Sequence, residues 1–347
     1  MIVLGTDPLN LEMPFSKLRD FITPEDEFYV RCHFPVPEIT PDDWHLEIGG
    51  AVAAPFELSY AELRAMESRT VIATLECAGN SRSLLDTKVK GVPWGPGAVG
   101  NASWTGVPLS AVLERAGVAI DAIEVILEGA DEGVVPDGTG TPEKISFSRS
   151  VPLSKALFDT ILAYDMNGMT LSPAHGFPLR AIVPGWYAMA SVKWLRRITV
   201  TTQPFTGYYQ VLDYTFQYRS TSESVLTPLT EQQVKSQIAN PMTGEVIPVG
   251  SVCQIHGAAW SGEADICLVE LSLDAGATWL PTTLLGNSVK NAWRLWKYDW
   301  RTPPSPGRVT LVTRATDSRG RIQPPDRDHD RGSYMINHLV QVTIELR

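Results

Sequence analysis

Short apolar stretches separated by turn residues run along the first two hundred residues and predict a series of β-strands. Strand-like patterns, either alternating or continuously apolar, occur at 44–48, 70–75, 123–127, 161–166, 181–183 and 192–200. Asn167-Gly168 follows one of these stretches and predicts a hairpin turn, because both residues accept a left-handed backbone. We therefore expect mixed sheets in this part of the chain.

Two short helices are predicted among these strands. Ser59 and Glu62 have the spacing of a capping box, in which each side chain bonds the backbone N–H of the other residue. A second helix is predicted over 109–116, and Gly117 is suited to the left-handed turn that closes a helix. Strands with a few helices indicate an α+β fold class for the first unit.

The pattern changes after a polar, weakly periodic stretch from 201 to 245, which we interpret as a linker that wraps the periphery. Beyond it the segments are strand-like only, and they alternate as in a two-sheet sandwich: 252–257, 267–273, 309–315 and 340–346. Aromatic residues crowd 293–300, which we interpret as sandwich core or interface. The predicted domains are 1–230 and 231–347.

Composition narrows the class of protein. The chain has 347 residues, of which 44% are hydrophobic, so it can bury the cores of about two domains. A net charge of -10 argues against a nucleic-acid partner, which requires a basic face. No run of about 18 apolar residues and no signal-peptide pattern occurs. We therefore expect no membrane span and a cytoplasmic location, or a periplasmic one if a leader was removed.

One cysteine stands out from the others by its setting. The four cysteines occupy positions 32, 77, 253 and 267 and form no C-x-x-C pair, which argues against a structural zinc site. Cys77 follows the predicted strand 70–75 and precedes Ala78-Gly79, whose small size lets a ligand approach. Three cations downstream are expected to favour its thiolate: Arg82, Lys88 and Lys90. Cys77 is a candidate ligand or nucleophile, and the alternative is a buried thiol that only packs.

Ordered sequence blocks around Cys77 carry a resemblance to a known family. The first blocks are CAGNSR at 77–82, VKGVPW at 89–94 and GAVGNASWTGVPL at 97–109. The others are YVRCHFPVP at 29–37, AYDMNG at 163–168, HGFPLR at 175–180, VPG at 183–185 and SVKWL at 191–195. Together they resemble the molybdenum-cofactor domain of the sulfite oxidase family. The resemblance implies a sulfite-oxidase-type molybdopterin-binding domain followed by an all-β, immunoglobulin-like dimerisation domain.

The resemblance also implies roles for particular residues. Cys77 would bind molybdenum beside a pterin dithiolene, since thiolate is a suitable soft donor for this metal. Residues expected to form a cationic substrate pocket are Arg31, Arg82, Lys90 and, from the second domain, Arg294. Tyr164 would place its hydroxyl near the metal, with Trp94 walling the substrate channel. Residues expected to hold the pterin and its phosphate are His33, His175, Arg180, Ser191 and Lys193.

Simpler interpretations of the same residues stay open. The cations can be ordinary solvated charges, Tyr164 can pack its ring in the core, and each histidine can be structural. Two departures from the family also bear on the substrate and pterin contacts. Cys32 stands where family members usually carry Asn, and 184–191 lacks their Gly-Ala-Arg run before Ser-Val-Lys-Trp.

The predicted function is molybdenum-dependent oxidation of sulfite to sulfate by a homodimer. Electrons are expected to pass to an external acceptor such as a cytochrome c or oxygen, because no flavin or dinucleotide fingerprint occurs in the sequence. The first alternative is reduction of nitrate or a sulfoxide on the same cofactor. A Cys-dependent hydrolase that uses Cys77 with His33 or His175, and a non-catalytic cofactor carrier, are the other two.

Overall fold

The structure is a computed structural model that describes residues 1–135, 144–219 and 223–347. The strands are β1 (Ile2–Thr6), β2 (Leu9–Glu12), β3 (Val30–Arg31), β4 (His45–Gly50), β5 (Phe56–Ser59), β6 (Arg69–Glu76), β7 (Val99–Pro108), β8 (Glu124–Gly133), β9 (Ile145–Pro152), β10 (Ile161–Met166), β11 (Met169–Thr170), β12 (Arg180–Ile182), β13 (Leu195–Thr201), β14 (Thr215–Arg219), β15 (Ser224–Pro228), β16 (Lys235–Asn240), β17 (Val246–Ile247), β18 (Val252–Trp260), β19 (Ile266–Ser272), β20 (Leu280–Pro281), β21 (Thr283–Leu284), β22 (Arg294–Arg301), β23 (Gly307–Asp317) and β24 (Val342–Leu346). The helices are α1 (Tyr60–Ala65), α2 (Leu109–Ala116), α3 (Leu153–Phe158) and α4 (Tyr208–Val211).

The N-terminal unit is built around two five-stranded sheets. One has the order β5-β4-β13-β8-β9 and is mixed, because β13 runs parallel to β4 and antiparallel to β8. The other has the order β11-β10-β7-β6, with β12 paired to β10. The expected mixed sheets are confirmed, although the unit is mostly sheet and its helices are short.

Strand β10 separates two hydrophobic cores of this unit. Leu162 and Tyr164 contribute to the larger core, whereas Ile161 and Ala163 contribute to a smaller core that also holds Cys77. Successive side chains of a strand point to opposite faces, so neighbouring residues reach different cores. This alternation decides which side chains of β10 can approach the Cys77 turn.

The predicted caps and turns of the N-terminal unit are confirmed. Ser59 and Glu62 form a capping box at the start of α1, and Gly117 closes α2 with a φ of 69°. Asn167-Gly168 joins β10 to β11 with φ angles of 53° and 79°. The strand predicted at 192–200 begins only at Leu195, because Trp194 has a left-handed φ of 50° that interrupts extended backbone.

The C-terminal unit consists of two sheets that enclose a common core. Their orders are β16-β18-β22-β21 and β17-β24-β23-β19-β20. The core draws side chains from both sheets, including Ile255, Val269, Trp296, Leu311 and Ile344. The four predicted strands are confirmed with ends shifted by a few residues, and the aromatic stretch supplies buried residues as expected.

The interpretation of 201–245 as a linker is wrong. Besides the undescribed residues 220–222, this stretch holds α4, the hairpin β14-β15 and the first strand of the second unit, β16. Its aromatic residues Tyr209 and Tyr214 are buried in the N-terminal core. This segment packs through single buried side chains and not through one face of a sheet. Polar residues separate these side chains, so the sequence shows no regular hydrophobic period.

The two units share a buried contact. A small core joins Met13, Phe15 and Val99 of the first unit to Trp260 and Trp293 of the second. The units are therefore packed against each other beside β7. Among the described residues, no helix is long and apolar enough to cross a membrane.

We expect Leu113→Ala to destabilise the N-terminal unit and Ile120→Ala to have little effect. Leu113 is fully buried in α2, so its truncation should lower the free energy of unfolding by about 2–5 kcal/mol. Ile120 is fully exposed nearby, so its truncation should change this energy by less than about 0.5 kcal/mol. Urea unfolding of both variants measures the difference, and equal losses would contradict the assigned core.

Candidate functional site

A cleft in the N-terminal unit collects most of the predicted site residues from the ends of several strands. Seven of them line it: Arg31, His33, Cys77, His175, Arg180, Ser191 and Lys193. Residues that the sequence analysis did not select also line it, among them Tyr29, Asp131 and Tyr214. Tyr164, Arg82, Lys90 and Arg294 do not belong to this lining.

Cys77 lies directly after β6, on the turn that sequence analysis singled out. Its side chain is 6% exposed, and its backbone N–H donates to the carbonyl of Ala98 at 2.9 Å. Burial raises the pKa of the Cys77 thiol, while the guanidinium groups of Arg82 and Arg31 act in the opposite direction. Arg82 favours the thiolate as expected, but loss of hydration outweighs the two guanidinium groups.

Arg82 lies behind the turn and is held from both units. Its Nη1 donates to the carbonyl of Val92 at 2.6 Å, and its Nε donates to the carbonyl of Ser333 at 3.1 Å. The guanidinium carbon lies 5.4 Å from the ring centroid of Tyr334. Arg82 is buried beside Cys77 and lowers the thiol pKa, although its side chain does not form the cleft wall.

The structure places Tyr164 outside the cleft. Its ring lies in the larger core, on the opposite face of β10 from the Cys77 core, and the guanidinium carbon of Arg64 lies 4.4 Å from its centroid. Strand alternation is the physical reason, because Tyr164 follows Ala163, whose side chain faces the core of Cys77. The hydroxyl of Tyr164 therefore does not reach the cleft.

Tyr214, unlike Tyr164, lines the cleft. Its hydroxyl lies 2.6 Å from Nε2 of His33. The ring of His33 also stacks on Phe147, with centroids 4.3 Å apart. Sequence analysis missed Tyr214 because this residue lies in the stretch that was interpreted as a linker. The repeated tyrosines of that polar stretch are the sequence signal that could have identified it.

Two further predicted cations are not part of the cleft lining. Arg294 begins β22 in the second unit, and its Nη2 donates to the carbonyl of Gly286 at 3.0 Å. Lys90 is exposed on the loop that follows the Cys77 turn. Trp293 is buried, and neighbouring side chains of an extended backbone point in opposite directions. The side chain of Arg294 therefore points away from that of Trp293 and makes its contact within the second unit.

The far end of the cleft is a buried, positively charged pocket. Arg180 donates from Nη1 to the carbonyl of His175 at 2.9 Å and from Nη2 to the carbonyl of Ser191 at 3.2 Å. Lys193 donates from Nζ to the carbonyl of Ala174 at 2.9 Å and lies 3.3 Å from Sγ of Cys32. Cys32, the departure noted in the sequence, therefore contacts a pocket lysine directly.

Burial shifts the pKa values of the groups in this pocket. Burial, helped by Arg180 and Lys193, lowers the pKa of His175 to about 3. Burial and Arg31 lower the pKa of His33 well below its usual value. Both imidazoles are therefore neutral at ordinary pH and can donate and accept hydrogen bonds. Burial also raises the pKa of the Asp131 carboxyl to about 7.

Two family profiles match the chain on either side of residue 220. The profile described as "Oxidoreductase molybdopterin binding domain" matches residues 33–209. The profile described as "Mo-co oxidoreductase dimerisation domain" matches residues 227–346. The chain belongs to the sulfite oxidase family of molybdenum-cofactor oxidoreductases. The cofactor of this family is molybdopterin with molybdenum, as the sequence blocks implied.

Known relatives of this family member include both oxidases and reductases. Sulfite oxidase of Gallus gallus is 35% identical over 91% of this chain and 71% of that protein. Nitrate reductase [NADH] 1 of Nicotiana tabacum is 36% identical over 81% of this chain and 33% of that protein. The crystal structure of the sulfane dehydrogenase SoxCD from Paracoccus pantotrophus superposes with a TM-score of 0.83 at 27% identity, over 97% of this chain and 84% of that one.

This chain is shorter than its animal relatives. It spans 60% of the mitochondrial sulfite oxidase of Homo sapiens, which is 34% identical over 91% of this chain. The two profile matches nevertheless account for both units described above. The family membership thus rests on the catalytic and the dimerisation domain together.

The cleft of this family member fits a pterin cofactor by its polar groups. Nε of Arg180 and Oδ1 of Asp131 are buried and have no hydrogen-bond partner within residues 1–135, 144–219 and 223–347. Unpaired buried polar atoms are costly, so a donor and an acceptor left open in one cleft indicate a ligand that satisfies both. A pterin with its phosphate carries donors and acceptors of both kinds, and the Cys77 thiol lies in the same cleft.

We expect His175→Gln to weaken the acid sensitivity of the protein. The pKa of His175 is about 3 in the folded protein and about 6.5 in an unfolded chain. Between these two pH values the unfolded state therefore binds more protons than the folded state. Stability should fall as pH decreases below about 6.5, by up to about 1.4 kcal/mol per pH unit from this group. Melting temperatures between pH 6.5 and 5 should therefore fall less steeply in His175→Gln. His45→Gln, at an exposed position, is the control and should keep the wild-type slope; an unchanged slope in His175→Gln would contradict the assignment.

Proposed function

We propose that this protein oxidises sulfite to sulfate at a molybdenum centre held by Cys77 and passes the electrons to an external acceptor. The observation that carries the proposal is the buried Cys77 thiol, which shares one cleft with Arg31 and has the guanidinium group of Arg82 behind its turn. Relatives named as sulfite oxidases and a sulfane dehydrogenase support oxidation of a reduced sulfur compound. The nitrate reductase relative supports reduction of nitrate as the competing alternative.

The reaction defines what the residues around the metal must do. Oxidation of sulfite consumes a water molecule and releases two protons and two electrons. When bound, the cofactor supplies a metal that accepts the electrons, and the protein supplies charge, orientation and access. Arg31 lines the cleft and can orient the anion, because a guanidinium group donates charge-assisted hydrogen bonds to oxyanions. Arg82, which lies behind the turn, adds positive charge that attracts the anion. This local charge is necessary in a chain whose net charge is -10.

Tyr214 and His33 are proposed to handle a proton. The hydroxyl of Tyr214 lies 2.6 Å from Nε2 of His33, and the pKa of that hydroxyl is raised by burial. The hydroxyl therefore stays protonated and donates, while the neutral imidazole can accept. This pair takes the role that the sequence analysis gave to Tyr164.

The remaining cleft residues are proposed to hold the pterin. Arg180 and Lys193 supply the positive charge of the pocket, where an anionic phosphate is favourable, and the neutral His175 can donate a hydrogen bond beside them. The Asp131 carboxyl, whose pKa is about 7, is suited to the amino and ring N–H groups of a pterin. Ser191 already accepts a hydrogen bond from the backbone N–H of Val183 at 3.0 Å, so its contribution is to shape the pocket.

Two finer features of the architecture belong to the same proposal. The second unit, with boundaries near 231–347, is proposed to be immunoglobulin-like, because its two sheets enclose one core. It is proposed to mediate a homodimer, as the description of its family profile suggests. A cytochrome c and oxygen are the proposed acceptors to test.

Stopped-flow absorbance of the oxidised, molybdenum-loaded protein tests the function. We expect sulfite to bleach the oxidised absorbance, and nitrate or a sulfoxide to restore it slowly or not at all. Metal analysis of the same sample should find molybdenum. Rapid reoxidation by nitrate without a response to sulfite would favour the reductase alternative, and the absence of any response would favour a cofactor carrier.

We expect Tyr214→Phe to impair sulfite oxidation and Tyr164→Phe to leave it unchanged. Both variants remove one hydroxyl from a buried tyrosine, but only Tyr214 faces the cleft. Loss of a positioned proton donor should lower kcat/KM by roughly 10²-fold. Steady-state rates with sulfite measure the effect. Equal rates in the two variants, with equal molybdenum content, would rule out the role of Tyr214.

We expect Arg31→Gln and Arg82→Gln to raise the KM for sulfite while the molybdenum content stays near wild type. Arg31→Gln removes a charge-assisted contact of about 1.5–3 kcal/mol, which corresponds to roughly tenfold or more in KM. Arg82→Gln removes a positive charge behind the Cys77 turn and should raise KM in the same direction. Arg294→Gln is the matched control, since Arg294 contacts Gly286 in its own unit. A wild-type KM in both test variants would place the substrate elsewhere.

A further inference from the structure

A buried ion pair joins the second unit to the residue that precedes Cys77. Lys235, at the start of β16, places Nζ 3.1 Å from Oε1 of Glu76. The side chains are 2% and 3% exposed. Trp260 of the second unit also donates from Nε1 to Oε2 of Glu76, at 2.9 Å. Both oxygens of this carboxylate are therefore held by the second unit.

The same lysine also holds the far side of the Cys77 turn. Nζ of Lys235 donates to Oγ of Ser81 at 3.0 Å, and Ser81 donates onward to Oε1 of Gln237 at 3.0 Å. Ser81 has a left-handed φ of 73°, which favours glycine and requires support from its surroundings. Lys235 therefore bridges the residue before Cys77 and the end of the turn that follows it.

Asn80 links the two sides of the turn internally. Its Nδ2 donates to Oε1 of Glu76 at 3.1 Å, and its Oδ1 accepts from the backbone N–H of Ala98 at 3.1 Å. Ala98 in turn accepts from the backbone N–H of Cys77. The carboxylate of Glu76 thus organises a closed set of hydrogen bonds around the cysteine.

A buried ion pair of this kind is an inefficient way to gain stability. Removing two charges from water costs about as much as their attraction returns, and apolar side chains of similar volume often stabilise a core equally well. The ion pair contacts the turn that carries Cys77, the proposed metal ligand, and this location indicates a role other than stability. A fixed positive and a fixed negative charge beside the cysteine set the local electrostatic potential and the direction of its side chain.

We propose that Lys235 is a positioning residue, supplied by the second unit, that fixes the Cys77 turn through Glu76 and Ser81 and balances the charge of Glu76 beside the metal. This inference rests on the proposed function, because it takes Cys77 as a molybdenum ligand. It makes the second unit a part of the metal environment as well as a packing partner.

Charge-changing variants of the pair test the proposal by the direction of their effects. Glu76→Gln leaves Lys235 positive, so the molybdenum reduction potentials should shift upward. Lys235→Met leaves Glu76 negative, so they should shift downward. Glu76→Gln/Lys235→Gln removes both charges and should return the potentials toward wild type. Redox titration followed by the Mo(V) electron paramagnetic resonance signal measures the potentials and the ligand geometry together.

Lys155→Met is the matched control. Lys155 is also buried and also joins the units, with Nζ 2.8 Å from Oε1 of Glu263 and a hydrogen bond to the carbonyl of Pro184. Its removal should lower the melting temperature, as Lys235→Met should, but leave the potentials and the Mo(V) signal unchanged. A purely structural role of Lys235 would make the two variants alike.

Each outcome decides the proposal. Wild-type potentials and signal in Glu76→Gln and Lys235→Met, at wild-type molybdenum content, would overturn it, as would an equal shift in Lys155→Met. If Lys235→Met does not accumulate as folded protein, the near-isosteric Glu76→Gln and the double variant test the proposal in its place. Their reduction potentials and Mo(V) signals are then compared with those of wild type. Failure of the proposed function is distinguishable, because wild-type protein would then give no Mo(V) signal on addition of sulfite.

Discussion

Burial of the Cys77 thiol is the constraint on which the site depends. Loss of hydration raises the thiol pKa, and the guanidinium groups of Arg31 and Arg82 only partly compensate. A metal ion at the sulfur would remove the need for a proton there, because metal binding stabilises the thiolate. The turn must therefore be held rigidly in a dry, cationic setting, and the contacts of both units serve that requirement.

The second unit takes part in the site more than its description as a dimerisation domain suggests. Ser333 accepts a hydrogen bond from Arg82, and the backbone N–H of Met335 donates to the carbonyl of Ala78 at 2.8 Å. Tyr334 bonds Asp213, the residue before Tyr214, through its hydroxyl. Lys235 holds Glu76. Separation of the two units would therefore disturb the Cys77 turn, its arginine and its tyrosine at once.

Sequence reasoning succeeded where the signal was local and failed where it depended on packing. The cap at Ser59, the turn at Asn167-Gly168 and the small-residue turn at Cys77 each follow from backbone rules that neighbouring residues obey. The same rules could not decide whether Tyr164 or Tyr214 reaches the cleft. The position of Tyr164 depends on which face of its strand is turned to the cleft, and that of Tyr214 depends on the path of an irregular segment. Asp131 was missed for a similar reason, since only burial distinguishes its carboxyl from an exposed one.

The central claim is that the Cys77 sulfur is a ligand of the molybdenum in this cleft. X-ray absorption at the molybdenum edge, on the loaded wild-type protein and on Cys77→Ser, tests it most directly. We expect the variant to keep the pterin sulfurs and to show one sulfur neighbour fewer than wild type, with an oxygen in its place. The same number of sulfur neighbours in both proteins, at equal molybdenum content, would contradict the account.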